Sequence, residues 1–293
     1  MVTGTRLHLR RTLESGQVFR WRWEAGEIAV GVVGRFRVRL AQDDAGVWLL
    51  SPRTPEAVAA VLRYLGPAAL PGGLDGIERA LEAEPVLSRV LPHTRGIALL
   101  VQDPWEVLIS FIISQNNNIP KIIRSVEGLA AALGGPLEGG GHAFPSPEEL
   151  ARAPLRVLQR CLLGYRAPYV RAAARLVASG KLDLDVLRRV PEDAAREALL
   201  QVPGVGEKVA DCVLLFGLGH HRAFPVDVWI RRALSRLYFR GGPPPSDAAL
   251  RRFARSRFGP LAGYAQQHLY VYARTHLAGR HGALPTDRRR TAP

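Results

Sequence analysis

The apolar residues of this chain change their repeat once, at Pro55, and that switch constrains the fold more than any other feature of the sequence. From about residue 6 to residue 50, EIAVGVVGRFRVRL alternates apolar and polar side chains, while VFRWRW and VWLL add aromatics. A period of two is the signature of half-buried antiparallel strands. From PEAVAAVLRYLG onward, apolar residues recur every three to four positions nearly to the C-terminus. DPWEVLISFIISQ, IPKIIRSVEGLAAALG, VRAAARLVASG and EKVADCVLLFGLG carry this helical spacing, often closed by glycine, and read as stacked helices. Strands followed by helices make an α+β chain. The expected organisation is a sheet domain with connecting helices over residues 1–100, an all-helical domain over 101–280 and a flexible basic tail over 281–293. GGPLEGGGHAFPSPEEL interrupts the helices as a flexible Gly/Pro connection, with Ser146 and Pro147 as cap and first residue of the next helix.

Composition narrows the partner. The chain has 40 Lys and Arg against 26 Asp and Glu, a net charge of +14, which favours a polyanion and salt-dependent binding. Genomic base composition can also produce such an arginine-rich chain, so charge alone does not decide. Cys161 and Cys212 are the only cysteines. They cannot build a disulfide framework or a four-thiolate zinc or iron–sulfur site, and both are expected to be reduced. No apolar stretch approaches the roughly 18 to 20 residues of a membrane helix, and MVTGTRLHLRRTLESGQ has no signal-peptide core. The expectation is a soluble cytoplasmic protein, associated with the nucleoid if the source is prokaryotic, with no membrane contact.

LLQVPGVGEKVADC carries the strongest local signal. An apolar helix end meets Pro203-Gly204-Val205-Gly206, and an amphipathic helix starts at once: a helix-hairpin-helix. Gly204 and Gly206 let the turn approach a phosphate, and the amides of the following helix N-terminus offer anion-binding donors. Such a hairpin grips DNA backbone without reading sequence. The same glycines would also serve an ordinary connection between two helices. Lys208 lies two residues beyond the turn, and nineteen residues later FPVDVWIRRAL places Asp227 at a helix N-cap. Taken singly, a surface lysine and a capping aspartate need no catalytic explanation. Together, facing one cleft, they suit amine chemistry. A desolvated lysine can supply a neutral amine that attacks an anomeric carbon and forms a Schiff base. A nearby carboxylate stabilises the oxocarbenium-like charge and helps move the proton.

These residues resemble the helix-hairpin-helix glycosylase superfamily, marked by this hairpin and a following aspartate. SGQVFRW at 15–21, DPWEVLISFIISQNNNI at 103–119, LGYRAPYV at 163–170, VPGVGEKVADC, FPVDVWI and FGPLAGYAQQHLY at 258–270 look like 8-oxoguanine DNA glycosylase segments in the same order. The resemblance spans roughly residues 6–277. It implies an N-terminal antiparallel sheet domain, TBP-like as in the alkylpurine glycosylases, packed on an all-α helix-hairpin-helix domain. It implies flipping and excision of 8-oxoguanine from double-stranded DNA, with Lys208 as nucleophile and Asp227 as its carboxylate, followed by β-elimination. Gly16 matches the carbonyl that accepts a hydrogen bond from the ring N–H that only the oxidised base carries.

By the same resemblance, Cys212, one helical turn beyond Lys208, and Tyr270 would sandwich the flipped base, and Gln266 would bond its pairing edge. Asn116 would fill the vacated space, Tyr165 wedge beside the orphaned cytosine, and Arg166 donate to it. Gly204, Val205 and Gly206 would hold the DNA backbone. Two positions depart from the pattern. Lys121 stands where a second cytosine-reading arginine is usual and lacks the planar fork, which predicts a weaker preference for cytosine opposite the lesion. Trp229 replaces a phosphate-contacting histidine. No organic cofactor and no metal ligand set are implied, although hairpin carbonyls near 202–207 can hold a monovalent ion in this superfamily. A monomer is expected. The competing readings are a monofunctional alkylpurine glycosylase, which lacks the lysine, and a non-catalytic hairpin DNA clamp, which needs no buried Lys and Asp pair. A mismatch adenine glycosylase would normally need four cysteines.

Overall fold

A computed structural model describes residues 7–66, 73–239 and 245–278, so the expected tail at 281–293 lies outside the described residues. The alternating segment forms a four-stranded antiparallel meander of β1 (Trp21–Glu24), β2 (Ile28–Val33), β3 (Phe36–Asp43) and β4 (Gly46–Ser51), in that spatial order. Cross-strand pairs Ala29↔Leu40 and Leu40↔Leu49, with Val38 opposite Gly31, give the sheet one apolar face. Asp43 closes the β3–β4 turn by accepting the amides of Ala45 (2.9 Å) and Gly46 (3.1 Å). The helix Pro55–Leu65, capped by Thr54 and started by proline, lays Ala57, Val61 and Leu65 into the same core as Val38, Leu40, Val47 and Leu49.

The strand reading fails before Trp21. Leu9–Leu13 is a short helix capped by His8, and SGQVFR follows it as an irregular, largely buried run. Leu9, Thr12 and Leu13, spaced three and four apart, bury one face. The polar groups beyond them find partners across the molecule. Gln17 donates from Nε2 to the Ala98 carbonyl (2.8 Å) and accepts the Leu100 amide (2.9 Å). The 97–100 stretch is a seam, with Ala98 and Leu100 in the sheet core and Leu99 in the helical one.

In the helical part, Pro104–Ile113 is buried on almost every side, as an apolar-all-round helix must be. Around it pack Ile119–Leu133, Ala167–Ala178 and Glu207–Phe216. The helix Ala262–His276 lies against Val228–Leu237 and Leu87–Thr94. His268 pins it there, with Nδ1 2.9 Å from Thr94 Oγ1. The Gly/Pro connection is more ordered than its composition suggests. Amide bonds Leu137→Gly141 (3.0 Å) and Ala143→Gly135 (2.8 Å) close it, the Arg20 guanidinium donates to the His142 carbonyl, and a Ser146/Glu149 capping box starts Pro147–Arg152. Among the described residues, no helix is long and apolar enough to cross a membrane.

Candidate active site

Five separated segments converge on one cleft of about 880 Å³. They are the Ser15–Gly16 turn, the end of Pro104–Ile113 with the asparagine loop after it, the start of Glu207–Phe216, the start of Val228–Leu237, and the inner face of Ala262–His276. Gly16, Asn116, Gly206, Lys208, Cys212, Asp227, Gln266, Tyr270 and Trp229 all line it.

Lys208 sits in the first turn of its helix because the hairpin ends at Gly206, the N-cap. Its Nζ donates to Ser114 Oγ at 3.2 Å and lies 5.5 Å from the Phe111 ring centroid. Ser114 donates its own hydroxyl to the Phe111 carbonyl (2.8 Å), so the amine rests against the C-terminal end of Pro104–Ile113. An ionic cluster fixes the helix behind it. Fully buried Asp211 pairs with Arg196 and Arg251, Arg196 also holds Glu192 (2.9 Å), and Arg251 also holds Glu207 (3.4 Å). Both hairpin helices are thereby tied to Asp247–Phe258.

Asp227 caps Val228–Leu237, its Oδ1 accepting the amides of Trp229 (3.0 Å) and Ile230 (2.8 Å). Burial pushes its carboxyl above the ordinary range, while the Ile230 amide and the Lys208 ammonium pull it back. Burial also drives the Cys212 thiol up to about 12, against the pull of Lys208, so Cys212 presents a neutral, polarisable face to the cleft. Gly16 has φ +80°, and a Cβ there would lie 3.0 Å from the Tyr270 hydroxyl; only glycine fits both the backbone and the ring. Gln266 is 4% exposed, donates to the Pro225 carbonyl (3.3 Å) and accepts from Gln267 (3.3 Å).

Away from these residues, the other expected positions divide. Asn116, at φ +45°, points Nδ2 at the Tyr165 hydroxyl (3.4 Å), and Tyr165 is 54% exposed. Arg166 is buried. Its guanidinium donates to the carbonyls of Gln115 (2.8 Å from Nε), Asn116 (3.0 Å) and Leu163 (3.4 Å), and lies over the Tyr165 ring. Lys121 is half-buried in the first turn of Ile119–Leu133 and is not among the cleft-lining residues. Val205 buries its side chain and gives its amide to the Val202 carbonyl (2.9 Å), so it packs rather than reaches outward. Gly204 has φ +83° against Tyr169. Of the hairpin carbonyls near 202–207, those of Val202 and Gly206 already accept the amides of Val205 (2.9 Å) and Ala210 (2.9 Å).

The sequence reading did not assign Ser15, Gln17, Ser114, Gln267 or Arg274. Ser15 donates to the Thr12 carbonyl (2.8 Å) and accepts from Gln17 (2.8 Å), so both neighbours of Gly16 are locked. Arg274 lies 5.4 Å from the Tyr270 ring centroid and donates to the Glu14 carbonyl (3.4 Å).

Residues 109–257 match the model of the HhH-GPD superfamily of base excision DNA repair proteins. The chain belongs to this superfamily. Within it, the chain is 38% identical over 211 residues to the probable N-glycosylase/DNA lyase of Methanothermobacter thermautotrophicus, covering 64% of this chain and 67% of that protein. It is 33% identical over 290 residues to the N-glycosylase/DNA lyase OGG1 of Arabidopsis thaliana, covering 92% and 78%. The Clostridium acetobutylicum 8-oxoguanine glycosylase/lyase, solved with double-stranded DNA containing cytosine opposite 8-oxoG, superposes with a TM-score of 0.86 at 32% identity, covering 92% of each chain. The HhH-GPD match takes in the hairpin, Lys208, Cys212 and Asp227, but ends before Gln266 and Tyr270.

Proposed function

We propose that this chain is a bifunctional 8-oxoguanine DNA glycosylase and AP lyase that acts as a monomer on double-stranded DNA. One observation carries the reading: an amine, a half-buried carboxylate, a glycine turn, a thiol and an aromatic ring share a single cleft in a superfamily of base excision repair proteins. The flipped base enters between Cys212 and Tyr270, with Gln266 at its pairing edge and the Gly16 carbonyl as acceptor for the N–H that oxidation creates. Unmodified guanine has no such donor and leaves that carbonyl unpaired, at a cost of about 1–3 kcal/mol.

Lys208, deprotonated, attacks C1′. The bond from C1′ to the base breaks, its electron pair leaves with the base, and the base takes up a proton. Asp227 stabilises the positive charge that develops on the sugar and takes part in moving the lysine proton. Opening of the sugar ring gives the Schiff base, and loss of a 2′ proton expels the 3′ phosphate. Ser114 orients the amine. Asn116 and Tyr165 fill and wedge the gap left in the duplex.

The test is single-turnover cleavage of duplexes with 8-oxoguanine opposite each of the four bases, with borohydride trapping of the covalent adduct. Wild type excises and traps, whereas Lys208→Gln does neither. Release of alkylated purines with 8-oxoguanine left intact would overturn the assignment. A weak dependence on the opposite base, sharpened towards cytosine by Lys121→Arg, would tie the relaxed preference to Lys121.

A further inference from the structure

We propose that Leu162 is a second DNA-inserting side chain, set beside Tyr165 to open the base step at the lesion; this rests on the glycosylase reading above. Leu162 combines two features that a merely structural leucine avoids. It is 44% exposed, although its neighbours Cys161 and Leu163 are buried, and its φ is +61°. The left-handed region disfavours side chains with a Cβ, and glycine is its ordinary occupant. Two positions on, where the chain again turns through positive φ, the residue is glycine: Gly164, at φ +57°. A turn needed only for chain direction would take glycine at 162 as well.

The backbone at 162 is held from both sides. Its amide donates to the Gln159 carbonyl (3.1 Å), and its carbonyl accepts from Ser125 Oγ (3.5 Å). The apolar side chain is therefore displayed rather than folded in. It belongs to the same short turn as Tyr165, whose hydroxyl meets Asn116 Nδ2 and the Gln115 carbonyl at 3.4 Å each. The exposed leucine thus stands three residues before the exposed Tyr165 in one connection between helices. Its partner there is duplex DNA. Aliphatic wedges between base steps unstack them and kink the duplex, which suits a branched aliphatic tip next to an aromatic one.

Three variants separate function from strain. Leu162→Gly and Leu162→Asn accept positive φ and remove the apolar tip, whereas Leu162→Met keeps the tip. The readouts are the thermal midpoint, base opening followed by 2-aminopurine fluorescence beside the lesion, and single-turnover excision opposite cytosine. Leu162→Gly and Leu162→Asn should melt at higher temperature than wild type and yet open and excise about tenfold more slowly, the loss of one wedge contact. Leu162→Met should stay within about twofold of wild-type opening and excision. Wild-type rates in the Gly and Asn variants would overturn the inference while leaving the glycosylase intact. A loss in Leu162→Met equal to that in Leu162→Gly would overturn it too. A wild-type chain inactive on 8-oxoguanine would remove both readings together.

Discussion

Replacing Gly204 with alanine tests why the hairpin needs glycine. A Cβ at that position would lie 2.5 Å from Tyr169 Cγ and 2.8 Å from Cβ and Cδ2 of the same residue. Non-bonded carbons rest at about 3.5–4.0 Å, so the overlap is about an ångström. The ring is not free to yield, because it packs on the helical core and stands edge-on to Tyr165 at 6.5 Å. Overpacking of this kind costs about 1–3 kcal/mol. An alanine at φ +83° adds about 1 kcal/mol for the left-handed backbone. Gly204→Ala should therefore destabilise the fold by about 2–4 kcal/mol. In a Tyr169→Ala background only the backbone cost remains, which predicts a coupling energy of about 1–3 kcal/mol from urea melts of the four proteins. Anisotropy titration with undamaged duplex should show at least about a tenfold loss of affinity for Gly204→Ala, because the shifted turn no longer presents its amides to phosphate. Equal costs in the two backgrounds would refute the argument, since Tyr169 would then not be what excludes a side chain at 204.

Two further outcomes follow from the site and its supports. Asp227→Asn should leave the melting temperature nearly unchanged, because asparagine caps a helix as well as aspartate does, while single-turnover excision falls by about 10²–10⁴-fold; a loss below about fivefold would remove Asp227 from the chemistry. His268 gives the fold a defined acid sensitivity: burial lowers its ring from 6.5 to about 4. The native state then refuses a proton that the unfolded chain accepts, so stability is full above pH 6.5 and falls as pH drops towards 4, by about 3 kcal/mol. Urea midpoints measured across that range should lose part of this slope in His268→Leu, and an unchanged slope would show that His268 does not set it.

The division between sheet and helices was legible because it is written as local period, and the capped helix at Ser146 was legible because a cap and a proline stand side by side in the sequence. Residues 7–20 were misread for the same reason in reverse. Aromatic and basic residues there imitate strand alternation, but the structure is decided by Gln17 bonding to residues 98 and 100, about eighty positions away. No local pattern encodes that pairing. Ser114 is equally silent in the sequence: a serine at a helix end is ordinary, and only the fold brings Lys208 Nζ to its hydroxyl.

Arg166 shows where residue identity stops short of function. The sequence supports a guanidinium near the orphaned base, and the structure holds that group against the carbonyls of Gln115, Asn116 and Leu163. A hydrogen bond from a charged donor is worth about 1.5–3 kcal/mol, so giving up the Gln115 and Asn116 carbonyls costs about 3–6 kcal/mol, more than a good bidentate base contact returns, about 1–3 kcal/mol. In the conformation described, Arg166 is chiefly the clamp that shapes the Asn116 loop, and on the proposed reading it reaches a cytosine only if that loop lets go. The capped first turn ties Lys121 to the same loop, since its amide donates to Asn118 Oδ1 at 3.0 Å. Substitution at either position therefore acts on loop shape as well as on base contact. A loss of cytosine preference in an Arg166 variant is evidence of direct reading only where the insertion of Asn116 is shown to be intact.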